Sequence, residues 1–303
     1  MSKHQVENLD PIRRNIELMT LRQPGAPDDV SIQNLTVAGV PAQWIDAPEA
    51  NPNKVLLYLH GGGYIIGSVE STHKDLVWRL SAAGECRVLG LNYRLAPEGP
   101  YPAAVDDAIA AYQWLLVQGY APESIAIAGD SAGGGLTFGT ALRLRDEGIP
   151  LPAALVGLSP WTDLAITGES IVSNARAEAM LPPDRVGEVA ELYLNGADPR
   201  TPHSSPLYGE QEGLPPTLIH VGSREILRDD AIRLAEKIKA AGVPVVLEVW
   251  PNMPHVWQVF ARHIPEARQA IAHIGMFLQG HLRSKPVSQQ QLPTEKPALL
   301  EID

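Results

Sequence analysis

Ser131 stands between two glycines in Gly129-Asp130-Ser131-Ala132-Gly133, directly after the apolar run Ala126-Ile127-Ala128. Gly-x-Ser-x-Gly in that setting is the pattern of a serine on a sharp strand-to-helix turn, its hydroxyl lifted clear of the sheet. Glycine flanks such a turn because any side chain there would strike the neighbouring strand or helix. The pattern is weak alone, since small residues gather in many loops. A serine hydroxyl becomes a useful nucleophile only with a base, an acid that orients the base, and donors for the oxyanion.

The chain has nine histidines. His255 lies in a loop after the strand-like run that ends at Trp250, where parallel sheets gather functional groups, and it is the favoured base. His60 also follows a strand but leads into glycines, and His220 sits inside a strand as a core residue. His73, His263, His273 and His281 fall on helical segments, and His4 and His203 in polar ones. For the acid, Glu225, Asp229 and Asp230 compete after the run that ends at Val221. Asp229 and Asp230 stand where a helix begins, where capping and the helix dipole explain them. Glu225 lies in the loop itself and is favoured, with Asp229 the runner-up. A carboxylate here would fix the tautomer of His255 and stabilise its imidazolium. His60-Gly61-Gly62-Gly63 lets successive backbone N–H groups converge into an anion-binding nest, which the N–H of Ala132 would complete. Its spacing fits neither Gly-x-Gly-x-x-Gly nor a P-loop, and no lysine follows.

The elements that must position these residues are legible from periodicity. Strands are predicted over 31–37, 42–45, 55–59, 87–91, 124–128, 153–158, 217–221 and 245–250, the first two joined as a hairpin. Helices are predicted over 72–83, 103–118, 132–147, 185–194, 229–241 and 266–282, with 48–52 a loop and Gly84 a helix end. From the third strand on, strand and helix alternate, which implies a parallel sheet with helices on both faces. The alternation breaks over 162–212. The chain thus divides into N-terminal helices over 1–28, an α/β domain over 29–161 and 213–283, an insertion over 162–212 and a polar tail over 284–303.

A net charge of −11 without a basic block argues against nucleic acid or an anionic membrane as partner. No run of about 20 apolar residues suits a membrane span, and the first residues lack the apolar core of a signal peptide, so a cytoplasmic location is expected. The one cysteine, Cys86, reads as a buried, inert thiol.

In order along the chain, His60-Gly61-Gly62-Gly63, Tyr93-Arg94-Leu95-Ala96-Pro97-Glu98, Gly129-Asp130-Ser131-Ala132-Gly133-Gly134 and the Pro254-His255 loop resemble the hormone-sensitive-lipase-like branch of the α/β-hydrolases. The resemblance implies an α/β-hydrolase fold, a mostly parallel central sheet with a small helical cap built from the N-terminal helices and the insertion after Trp161. It implies a Ser131–His255–acid triad and an oxyanion hole at Gly62, Gly63 and Ala132, supported by His60, Gly61 and Asp130. The implied activity is a carboxylesterase acting on short- to medium-chain acyl esters through an acyl-enzyme, with no cofactor and no metal. Family members often dimerise through the last strand and its helix, so a homodimer is an expectation carried by the resemblance alone. One departure stands out: the family usually has Asp-x-Leu-x-Asp at the acid, where this chain has Glu225-Ile226-Leu227-Arg228-Asp229. Glutamate serves in triads on this fold as well. Lactone hydrolysis, amide deacetylation and a lyase reaction would use the same pocket. A non-catalytic ligand-binding module would be expected to lose the serine or the histidine, and both are present. Arg94 and Glu98 are expected to hold loops through ion pairs, Asp163 to be structural or to line the pocket, and Tyr64, Trp161 and Trp257 to wall it.

Overall fold

Eight strands form one sheet in the computed structural model, which describes residues 9–21 and 25–285. They are β1 (Ser31–Val37), β2 (Val40–Asp46), β3 (Asn51–Leu59), β4 (Cys86–Leu91), β5 (Ile125–Asp130), β6 (Ala154–Leu158), β7 (Thr217–Gly222) and β8 (Val245–Trp250). Their spatial order is β1-β2-β4-β3-β5-β6-β7-β8. The β1–β2 and β2–β4 pairs are antiparallel, and every pair from β4 to β8 is parallel.

The central strands are apolar on both faces because helices cover both. Val55, Leu57 and Leu59 of β3 point to one side, against α3 (Ala103–Val117), α4 (Ser131–Asp146) and α7 (Arg228–Ala240). Leu56 and Tyr58 point to the other, against α2 (Lys74–Gly84) and α8 (Pro265–His281). This is the period of two expected of a strand. Each aliphatic side chain so buried contributes roughly 1.5–3 kcal/mol. The remaining helices are α1 (Leu9–Leu21), α5 (Ser170–Ser173) and α6 (Val186–Leu194).

One local expectation is corrected and one is met. The stretch 48–52 is not all loop: β3 starts at Asn51, which pairs with Cys86 before a register shift to Val55. The irregularity spares Pro52, which has no N–H to give a ladder. Gly84 is the last residue of α2, as expected, and Glu85 takes the left-handed position after it with φ 47°. Gly84 is glycine for packing, because a Cβ there would stand 3.0 Å from both Cys86 Sγ and Leu278 Cδ1.

Between β6 and β7 the chain leaves the sheet over 159–216 and forms no strand. This excursion carries α5 and α6. It is tied down at its base by Asp230, whose Oδ2 accepts the N–H groups of Thr162 and Asp163 at 2.9 Å each. Asp163 in turn meets Arg233 at 2.8 Å. Helix α1 is held by Arg13, which donates to the carbonyls of Ile65 and Ala96 and pairs with Glu98. Arg94 pairs with Asp107, so both Arg94 and Glu98 hold loops as expected. The expected helical content of residues 1–8 and most of the polar tail lie outside the described residues. Among the described residues no helix is long and apolar enough to cross a membrane.

Candidate active site

The turn from β5 into α4 is built around Ser131. Asp130 is extended, and Ser131 follows with φ +52°, a left-handed conformation that a side-chain-bearing residue adopts at a cost of roughly 1–3 kcal/mol. The turn fits only because its neighbours lack side chains: a Cβ on Gly133 would lie 2.0 Å from the Leu59 carbonyl oxygen, and one on Gly129 2.3 Å from that of Gly133. The Trp161 N–H donates to the Ser131 carbonyl at 2.9 Å. The hydroxyl faces a cavity of about 470 Å³.

Three sequence-selected residues converge. The Ser131 hydroxyl donates to His255 Nε2 at 2.9 Å, and His255 Nδ1–H donates to Glu225 Oε2 at 2.8 Å. Asp229 and Asp230 face elsewhere: Asp229 accepts the Ser170 N–H at 2.8 Å, and Asp230 holds the base of the excursion. Burial works against charging His255, but the hydrogen bond and charge of Glu225 outweigh it, helped by Glu178 and Asp130, and hold the imidazole above its ordinary range.

Sequence reasoning missed Ser159. It follows β6, beside the ends of β5 and β7, and its hydroxyl donates to Glu225 Oε1 at 2.7 Å while accepting the Val256 N–H at 3.1 Å. The Gly222 N–H reaches the same carboxylate oxygen at 2.5 Å. Three donors thus address one buried carboxylate, which keeps Glu225 aimed at His255. The rule that selected His255, a position just past a strand end, also points to Ser159.

The glycine run after β3 stands beside the serine because β3 and β5 are adjacent, with Leu59 opposite Gly129. Gly62 and Gly63 have φ +118° and +63°, the left-handed region that glycine enters freely. Their N–H groups, and that of Ala132 in the first turn of α4, find no acceptor among the described residues. Gly62 and Gly63 line the cavity.

Asp130 anchors this loop: its carboxylate accepts Tyr58 O–H at 2.6 Å and Gly61 N–H at 2.9 Å, and lies 3.1 Å from His73 Nε2. A Cβ on Gly61 would stand 2.1 Å from Asp130 Oδ2, so this position too must be glycine. His60 Nδ1–H donates to the Gly61 carbonyl at 2.8 Å, and its ring stacks on Tyr93 at 4.4 Å. Burial and the neighbouring His73 push His60 down to about 4, so it is neutral and structural at pH 7. His73, read from sequence only as a helical residue, is thus part of the support.

The rest of the cavity wall is mostly apolar, including Ile65, Ile66, Trp161, Leu181, Val189 and Leu227, with Thr20, Thr72 and Arg185 as its polar members. Of the three aromatics expected in that wall, Trp161 lines it, whereas Tyr64 stacks on Tyr193 at 3.7 Å and Trp257 is buried beside His220. Among the described residues, no three His, Cys, Asp or Glu side chains are gathered to hold a metal ion.

A family model described as the alpha/beta hydrolase fold matches residues 56–259. An acetyl-hydrolase of Streptomyces hygroscopicus is 47% identical over 253 residues, 84% of this chain and 83% of that protein. An esterase of Acinetobacter venetianus is 39% identical over 249 residues, 82% of each chain. Among solved structures, an esterase of the bacterial hormone-sensitive lipase family superposes with a TM-score of 0.88 at 52% identity, over 91% of this chain and 92% of that one.

Proposed function

The chain belongs to the α/β-hydrolase fold family, in its hormone-sensitive-lipase-like branch of carboxylic ester hydrolases, and we propose that it works through an acyl-enzyme on Ser131. His255 Nε2 takes the Ser131 proton as Oγ attacks the ester carbonyl carbon. Glu225 holds the imidazole in the tautomer that can accept at Nε2 and stabilises the imidazolium that results. The carbonyl oxygen, now an oxyanion, is held by the N–H groups of Gly62, Gly63 and Ala132. The imidazolium returns its proton to the alkoxide oxygen as the C–O bond breaks, and the alcohol leaves. Water repeats the sequence: His255 takes its proton, the hydroxide oxygen bonds to the acyl carbon, and Ser131 recovers the proton as it departs.

The observation that carries this reading is the continuous hydrogen-bond chain Glu225–His255–Ser131 opening onto an apolar cavity of about 470 Å³. That volume, and the acetyl-hydrolase name of a similar protein, support short- to medium-chain acyl esters as substrates. The test is hydrolysis of p-nitrophenyl acetate and butyrate, with covalent capture by an organophosphate. Wild type is expected to turn over and to be labelled, and Ser131→Ala to do neither. Retention of wild-type turnover by Ser131→Ala overturns the acyl-enzyme.

A further inference from the structure

The loop that carries Glu225 does not stand alone. Three residues of the excursion, spaced four apart, grip it from one side. The Ser170 hydroxyl donates to the Ile226 carbonyl at 2.6 Å and accepts the Asp229 N–H at 3.0 Å. Asn174 Nδ2 donates to the carbonyls of Glu225 at 2.7 Å and Ser223 at 3.1 Å. Glu178 Oε2 accepts the Ile226 N–H at 3.1 Å. The spacing is that of one helical face: Ser170 begins α5, and the Asn174 carbonyl accepts the Glu178 N–H at 2.9 Å one turn later. The excursion thus addresses main-chain groups at Ser223, Glu225, Ile226 and Asp229, which bracket the acid.

Glu178 reaches in a second direction. Its Oε1 accepts the N–H groups of Met180 at 2.8 Å and Leu181 at 3.2 Å. Both residues line the cavity. One carboxylate therefore pins the pocket wall with one oxygen and the acid-bearing loop with the other. We propose that Ser170, Asn174 and Glu178 are positioning residues for the reaction, a three-toothed comb that holds the substrate-binding wall and the loop of the acid as one body. The proposal rests on the reading of Glu225, His255 and Ser131 as a triad. The charged and titratable groups around His255 are Glu225, Glu178 and Asp130, the last paired with His73.

The test compares wild type with Asn174→Ala, Glu178→Gln and Glu178→Ala on p-nitrophenyl acetate and hexanoate, together with melting curves and the pH profile of kcat/KM. Asn174→Ala frees only the acid loop. Its kcat is expected to fall about tenfold on both esters, with KM and melting temperature held, as misplacement of a catalytic group does. Glu178→Gln keeps an oxygen for the wall, turns an amide toward the Ile226 N–H and removes a negative charge near His255. Its kcat is expected to fall similarly, with the acid limb moved to lower pH because the imidazolium loses support. Glu178→Ala is expected to raise KM for hexanoate relative to acetate as well. If kcat, acid limb and the hexanoate-to-acetate ratio all stay within twofold of wild type while Ser131→Ala is inactive, the comb is wrong and the triad stands. An active Ser131→Ala overturns both. Should the Glu178 variants not melt cooperatively, Asn174→Ala decides alone: a kcat within twofold of wild type refutes the comb.

Discussion

Glu225 and Asp229 are four residues apart and both carry carboxylates, yet their partners divide their roles. Glu225 is fully buried and receives His255, Ser159 and Gly222. Asp229 receives the Ser170 N–H and its neighbour Arg228. Glu225→Gln is therefore expected to lower kcat by on the order of 10³–10⁴, because an amide in place of the carboxylate stops fixing the working tautomer. Asp229→Asn should keep kcat within a few-fold; steady-state kinetics of the pair tells them apart, and the reverse ranking would move the acid to Asp229. The raised His255 also has a consequence in pH. The base acts only when neutral, so a folded-state value above the ordinary histidine range switches activity off earlier as pH falls. The acid limb of kcat/KM is expected to have its midpoint above about 6.5, the unperturbed histidine value. A midpoint well below that would contradict the assigned surroundings. At this scale the sequence was informative for Ser131, His255 and Glu225, because each follows a strand end. The same rule reaches Ser159 after β6, but the sequence was silent on Ser170, Asn174 and Glu178, whose roles depend on which loops end up face to face.

Two glycines in helices separate packing from propensity. Gly133 is in the first turn of α4, and a Cβ there would meet two backbone oxygens, Leu59 at 2.0 Å and His60 at 2.5 Å. Neither oxygen can move without shifting β3, so Gly133→Ala is expected to cost at least about 3 kcal/mol and to disturb the turn at Ser131. Gly280, late in α8, has nothing within 4 Å of such a Cβ. Gly280→Ala should stabilise by about 0.5–1 kcal/mol, since alanine loses less backbone freedom in a helix. Thermal melts of both variants check the contrast, and equal effects would mean that the approach of α4 to β3 is not what makes Gly133 necessary. The alternation of strands and helices could be read from periodicity because each central strand is apolar on both faces. The order β4-β3-β5 could not: it is set by crossover connections that local patterning does not record, and it is what brings His60-Gly61-Gly62-Gly63 beside Ser131. The start of β3 at Asn51 escaped notice for a related reason, since Pro52 and Asn53 look like turn residues until β4 is alongside.

The molecule as a whole sets what the site can receive. Its cavity lies against α6 and the excursion, through Leu181, Val186 and Val189, and has a mostly apolar wall. Turnover of p-nitrophenyl esters is expected to be highest for acyl chains of about two to eight carbons and to fall steeply beyond about twelve, because a cavity of about 470 Å³ lies in the lower half of the range of small-ligand pockets. A rate that keeps rising to palmitate would require the excursion to swing away. The net charge of −11 adds that acidic alcohols or diacids should be poor substrates relative to neutral ones. The existence of the excursion was legible as a break in alternation, whereas the polar comb beneath it has no sequence pattern strong enough to stand out among serines, asparagines and glutamates.

The single cysteine offers a use unrelated to catalysis. Cys86 is fully buried beneath α2, and burial pushes its thiol up to about 12, so it presents no thiolate to a reagent at neutral pH. The native chain is therefore silent toward maleimides. Val172 on α5 is 82% exposed. A cysteine substituted there, Val172→Cys, would be the one site to take a fluorophore or spin label, and its signal would report in real time whether the excursion stays seated while an ester is bound and hydrolysed.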